Sequence, residues 1–157
     1  MQFIKTISIV TLLLLSVGVQ AEITHIDNEK TQSLLKDGIP IIDVRTKSEW
    51  KETGVVEGSH LLTLFDEKGN FDIEQWMADL DKVAGKDKPF MLICAVGGRT
   101  GMLSQYLDSR EGYTQVHNVV RGIDHWIRSD KPVVDYSENK VAELSKDTST
   151  DSVTIAK

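Results

Sequence analysis

The sequence predicts an α/β domain built on a mostly parallel sheet of about five strands, with helices on both faces. Two observations carry this expectation. From Ile23 to Arg128, short apolar runs alternate with capped or amphipathic segments, the pattern of strands joined by crossover helices. The runs Ile39 to Val44 and Phe90 to Ile93 are apolar apart from Asp43, as strands covered on both faces are.

The elements follow in order. Ile23 to Ile26 is the first strand, and Asp27 or Asn28 caps a helix that carries Leu34 and Leu35 and stops at Gly38. Ile39 to Val44 is the second strand, Ser48 to Thr53 a short helical turn closed by Gly54, and Ser59 to Leu64 the third strand. Asp72, with Gln75 three residues on, opens an amphipathic helix with Ile73, Trp76, Met77 and Leu80 turned inward. Phe90 to Ile93 is the central strand, and Arg99 to Ser109 a helix with Leu103, Tyr106 and Leu107 on one face. Val116 to Val120 is the fifth strand, and Gly122 to Arg128 the last helix, with Ile123, Trp126 and Ile127 on one side. There is no internal repeat. The domain spans 22–135, and the polar segment 136–157 reads as a flexible, non-catalytic tail.

The chain has a single cysteine, Cys94, placed where the central strand meets a glycine-rich turn, Cys94-Ala95-Val96-Gly97-Gly98-Arg99-Thr100. Two glycines let backbone N–H groups curl around the sulfur. The following helix points its positive end at it, and Arg99 adds a cation, so the setting favours an anionic, nucleophilic sulfur. The competing role is that of a buried packing cysteine at a strand end. In open parallel sheets, ligands bind beyond the carboxyl ends of the strands, which is where Cys94 falls.

The first residues predict export. Lys5 precedes an apolar stretch from Ile7 to Val19, and Val19-Gln20-Ala21 offers small residues at the spacing of a cleavage site. Residues 1–21 are therefore read as a signal peptide cut before Glu22, and the apolar stretch is shorter than the ~20 residues of a spanning helix. A periplasmic protein with no membrane anchor after cleavage is the expectation. An exported chain with one unpaired thiol must bury it or use it. The net charge of −6 argues against nucleic acid and anionic membranes as partners, so any anion site must be local. His25, His60, His117 and His125 lack ligand spacing with one another or with Cys94, which speaks against a metal, and no cofactor is implied.

Taken together, these segments resemble the rhodanese family. Ile42-Asp43-Val44-Arg45, Glu49-Trp50, Gly54 and Gly58-Ser59-His60 look like its N-terminal signature. The run Cys94 to Thr100 resembles its active loop, Val119 to Trp126 its later Gly-Gly-x-x-x-Trp segment, and Pro132-Val133 its usual close. The resemblance covers about Ile23 to Val133 and implies a single-domain thiosulfate sulfurtransferase. In that family the cysteine takes a sulfane sulfur from a small anionic donor, becomes a persulfide, and passes the sulfur to cyanide or a thiol. The amides of Ala95, Val96, Gly97, Gly98, Arg99 and Thr100 would hold the anionic sulfur and the leaving sulfite. Arg99 would add charge to that site or, facing outward, complete the helix start. A monomer is expected.

Three departures stand out. Arg121 replaces the first glycine of the later pair, either pointing toward the loop or standing as a solvated charge. Val55 replaces a frequent histidine, and Asp130 stands where a turn glycine is usual. Asp43, Arg45 and Glu49 are expected to form one ion-pair group holding the strand end. Two other classes compete with the enzyme: a non-catalytic sulfur carrier or binding module, and a cysteine phosphatase or arsenate reductase. The latter commonly needs five residues between cysteine and arginine, where this chain has four between Cys94 and Arg99.

Overall fold

The computed structural model describes residues 23–139. The signal peptide expected at 1–21 and most of the expected tail lie outside them. The element order is β1 (Thr24–Ile26), α1 (Asn28–Lys36), β2 (Ile41–Asp43), α2 (Lys47–Thr53), β3 (His60–Leu61), α3 (Ile73–Val83), β4 (Phe90–Ile93), α4 (Gly98–Ser109), β5 (Val116–Val119) and α5 (Gly122–Arg128), with a final 3₁₀ turn at Tyr136–Glu138. The five strands form one sheet in the order β1-β5-β4-β2-β3, every pair parallel, so the predicted class and the central place of β4 hold.

Strand alternation sorts the core into two layers. Ile42, Val44, Phe90, Leu92 and Cys94 face one side, where Trp76 and Leu80 of α3 and Leu103 and Leu107 of α4 cover them. Ile41, Met91 and Ile93 face the other side, under Leu34 of α1 and Ile123 and Trp126 of α5. Ile41, Ile42 and all four residues of β4 are fully buried, which is why their sequence shows no polar alternation.

Local chemistry sets the helix starts. Asp27 accepts from the amide of Lys30 at 2.8 Å to cap α1. Asp72 accepts from Gln75 N at 3.0 Å to cap α3, but the cap is one-sided, because the Gln75 side chain turns to Asp79 Oδ2 instead. At α2 the cap is reciprocal: Thr46 Oγ1 accepts from Glu49 N, and Glu49 Oε2 accepts from Thr46 N at 2.9 Å.

Three expectations are corrected. The strand expected from Ser59 to Leu64 shortens to His60–Leu61, because Leu62 N bonds Asp43 O while Leu64 N bonds Val44 O. Two residues advance on one side against one on the other, and the ladder ends. Ile127 is 37% exposed rather than inward: Ile123 and Trp126 form the buried stripe of α5, and Ile127 turns about 100° away from Trp126 to the rim. The segment expected to be a free tail begins packed: Tyr136 stacks on Trp50, with ring centroids 5.8 Å apart. Asn139 bonds Gly58 N at 3.1 Å and Ser59 O at 2.9 Å.

Candidate active site

Cys94 follows the last residue of the central strand and is 1% exposed, a burial that a packing cysteine would share. Its surroundings differ from those of a packing cysteine. Gly97 N donates to Sγ at 3.1 Å, and Thr100 Oγ1 lies 3.5 Å from the sulfur while bonded to Gly97 O at 3.2 Å. Gly97 takes φ +89°, which turns the chain back over the sulfur and makes it the N-cap of α4. No side chain caps that helix, so its first-turn amides and its positive end open onto the loop.

A second helix closes the loop from behind. Ile123 N and Asp124 N, in the first turn of α5, donate to Cys94 O at 2.9 Å and Ala95 O at 3.1 Å. This approach needs Gly122, where an added Cβ would lie 2.2 Å from Cys94 O and 2.5 Å from Ala95 O. The loop is thus clamped by backbone bonds between the ends of β4 and β5.

The remaining sequence-predicted residues separate. Ala95 gives its carbonyl to α5, Val96 is 63% exposed beside the loop, and Gly98 opens α4 with nothing within 4 Å of where a Cβ would stand. Arg121 adopts φ +61°, in the position the family usually gives to glycine. Its backbone lies against Gly97, and its side chain is exposed. Asp130, at the other departure, also has positive φ, +56°.

The ion-pair group expected from Asp43, Arg45 and Glu49 divides in two. Arg45 and Asp43, both fully buried, pair through Arg45 Nε and Nη2, and Arg45 also donates to Thr53 Oγ1 at 2.7 Å, Gly54 O at 2.8 Å and Glu49 O at 3.3 Å. That pair ties the end of β2, which lies in register with Ile93, to α2. Glu49's carboxylate instead crosses to the active loop, accepting from Arg99 Nη1 at 2.9 Å and from Arg99 Nη2 in a two-pronged contact. The sequence reading missed this contact. The reciprocal cap Thr46-Lys47-Ser48-Glu49 was legible as a signal that Glu49 is fixed in place, although not of what it faces.

Electrostatics follow from this geometry. Burial alone would raise Glu49, but hydrogen bonds from Arg99 and from the Thr46 amide outweigh it and bring its pKa down to about 2. Arg99 is raised by its hydrogen bonds to Glu49 against burial, and the neighbouring Cys94 sulfur adds to the rise. Because the folded value of Glu49 lies below the ordinary 4.5, the pair stabilises the fold above that pH and loses its contribution as pH falls toward 2. The gap in urea midpoint between wild type and Glu49→Gln is therefore expected to be widest at pH 5 and to close by pH 2. A gap that stays constant across that range would contradict the assignment.

A groove of about 440 Å³ is lined by residues that include Leu62, Leu64, Trp76, Asp66, Asp72 and Asp79, none of them from the active loop. Cys94 does not line it, since the sulfur sits inside its own loop.

A parallel sheet covered on both faces, with one cysteine held by a loop amide at a helix start beyond its central strand, defines a class: α/β domains that seat a single cysteine in a backbone loop at the carboxyl end of the central strand. The chain belongs to the rhodanese-like domain family, whose model matches residues 27–129. It is 27% identical over 105 residues to the thiosulfate sulfurtransferase GlpE of Pseudomonas syringae pv. syringae, covering 67% of this chain and 88% of that protein. Among solved structures, it is similar to a rhodanese-related protein from Thermoplasma volcanium, with a TM-score of 0.51 and 25% identity over 71% of this chain and 97% of that one. It also resembles the polysulfide-sulfur transferase homodimer of Wolinella succinogenes, with a TM-score of 0.56 and 21% identity over 78% and 86% of the two chains. The last likeness shows the fold alone.

Proposed function

We propose that this protein is an exported sulfurtransferase that moves a sulfane sulfur from thiosulfate through a persulfide on Cys94 to cyanide or a thiol. Sulfur transfer in general is supported by membership of the family and by the likeness to the GlpE thiosulfate sulfurtransferases. The observation that carries the reading is the bond from Gly97 N to Cys94 Sγ at the open N-terminus of α4, a setting suited to an anionic sulfur. The Cys94 thiolate attacks the outer sulfur of thiosulfate. A new S–S bond forms as the old one breaks, and sulfite leaves with the electron pair of the broken bond. Cyanide then attacks the outer sulfur of the persulfide, giving thiocyanate and restoring the thiolate. The loop amides receive the donor's negative charge, and Arg121, whose backbone lies against Gly97 and whose side chain is exposed, adds a cation to the approach. The apolar leader and its Ala21 cleavage site support a periplasmic location.

One intact-mass measurement tests both parts. Protein recovered from the periplasmic fraction is expected to begin at Glu22 and to gain one sulfur, ~32 Da, on incubation with thiosulfate, lost again on addition of cyanide. A chain that still begins at Met1 would remove the cleaved signal-peptide reading. A single round of loading without turnover to thiocyanate would make the protein a sulfur carrier rather than an enzyme.

A further inference from the structure

Arg99 lies between the two residues that touch the sulfur: Gly97 donates to Cys94 Sγ and Thr100 stands 3.5 Å from it. Its side chain is not free to follow a donor. Both terminal nitrogens are engaged by Glu49, which is itself held by the Thr46 amide, while the Glu49 backbone carbonyl accepts from the buried Arg45. A continuous set of contacts thus runs from the Asp43–Arg45 pair beneath the sheet end, through the N-terminal turn of α2, to the guanidinium beside the active loop. Both members of the Glu49–Arg99 pair remain partly exposed, at 29% and 25%, so the pair lies at the surface end of the loop's helix rather than within the core.

We propose that Glu49 is a positioning residue for sulfur transfer, holding the Arg99 guanidinium beside Cys94 so that the pair, and not Arg99 alone, stabilises the sulfur anion. This rests on the sulfurtransferase reading and adds to it a residue on a different helix, 50 positions away in sequence. The carboxylate fixes a long side chain that would otherwise sample many rotamers, and the planar fork leaves the other N–H groups of Arg99 for the sulfur side. Lending direction in this way carries a liability. Without Arg99, the same carboxylate becomes an unpaired negative charge next to an anion site. The effect of removing Glu49 must therefore change sign with the residue at position 99.

The test is a double-mutant cycle on the single-turnover rate of persulfide formation from thiosulfate, read by quenched intact mass. Glutamine keeps an oxygen for the Thr46 amide, as capping boxes tolerate, so Glu49→Gln is expected to fold. It is expected to load sulfur about fivefold more slowly than wild type, since a charge-assisted fork becomes a neutral contact, with KM for thiosulfate little changed. Arg99→Ala is expected to be slower still, and the double variant Glu49→Gln/Arg99→Ala at least as fast as Arg99→Ala. A Glu49→Gln enzyme as fast as wild type or faster would overturn the proposal, since the carboxylate would then only cancel the charge of Arg99. A double variant slowed by the product of the two single effects would overturn it as well. Should wild type take up no sulfur, the sulfurtransferase reading fails by itself, and the same cycle measured on iodoacetamide alkylation of Cys94 still decides the role of Glu49.

Discussion

Cys94→Ser is expected to fold as the wild type does and to take up no sulfur from thiosulfate. The hydroxyl replaces the sulfur in a 1% exposed site that already offers partners, Gly97 N and Thr100 Oγ1, so a buried polar atom is not left unpaired. The stability cost should stay within about 1–2 kcal/mol. The chemistry has no such substitute. An alkoxide does not form at neutral pH, and the chain holds no second cysteine to take over. Intact mass after thiosulfate treatment, with thiocyanate release on adding cyanide, reads the result directly. Residual transfer in this variant would move the reaction away from Cys94 and end the sulfurtransferase reading in the form given above.

Gly122→Ala is expected to carry the largest stability loss of any single methyl added near the site. The new Cβ would fall 2.2 Å from Cys94 O and 2.6 Å from the carbonyl carbon of Ala95, both backbone atoms, at a residue with φ +57°. Left-handed strain and forced displacement together amount to about 2–5 kcal/mol. Because the obstructed atoms belong to the active loop, relief of the clash must move that loop, and sulfur loading should fall along with the urea midpoint. Gly98→Ala is the contrast. A Cβ there meets nothing within 4 Å and φ is ordinary, so the folded state should be unaffected or slightly stabilised. If both variants unfold at the same urea concentration, α5 does not clamp the loop as described.

What the sequence made legible is what short-range chemistry decides. The bounds of β4 and α5 were readable because an unbroken apolar run ends at a cysteine followed by glycines, and because Gly122 precedes a stripe of Ile123 and Trp126. The starts of α1 and α3 were readable from Asp27 and Asp72, whose side chains bond amides three residues away. The length of β3 was not, since it depends on how residues 62 and 64 meet the end of β2 across the sheet, and the segment Ser59 to Leu64 is apolar enough to suggest a longer strand. The partner of Arg99 was hidden for the same reason. A carboxylate four positions from Arg45 looked like its local partner, whereas the folded chain gives Arg45 to Asp43 and sends Glu49 to a helix far along the sequence. Arg121 and Asp130 were noted as departures from glycine, and these two are the non-glycine residues with positive φ among those described. The backbone shape was kept where the residue type was not.

The stacking of Tyr136 on Trp50 bears on where this domain can be cut. The family model stops at residue 129, yet Trp50, on the helix that carries Glu49, has its aromatic partner at 136. An antiparallel bridge joins Val55 to Val134, and Asn139 returns to Gly58 and Ser59. A boundary drawn at the matched segment would leave an exposed indole on α2 and loosen the support behind the Glu49–Arg99 fork without touching a single residue of the loop. The packed fold therefore extends past its recognisable motif, and the last turn of the packed chain braces the helix that carries Glu49.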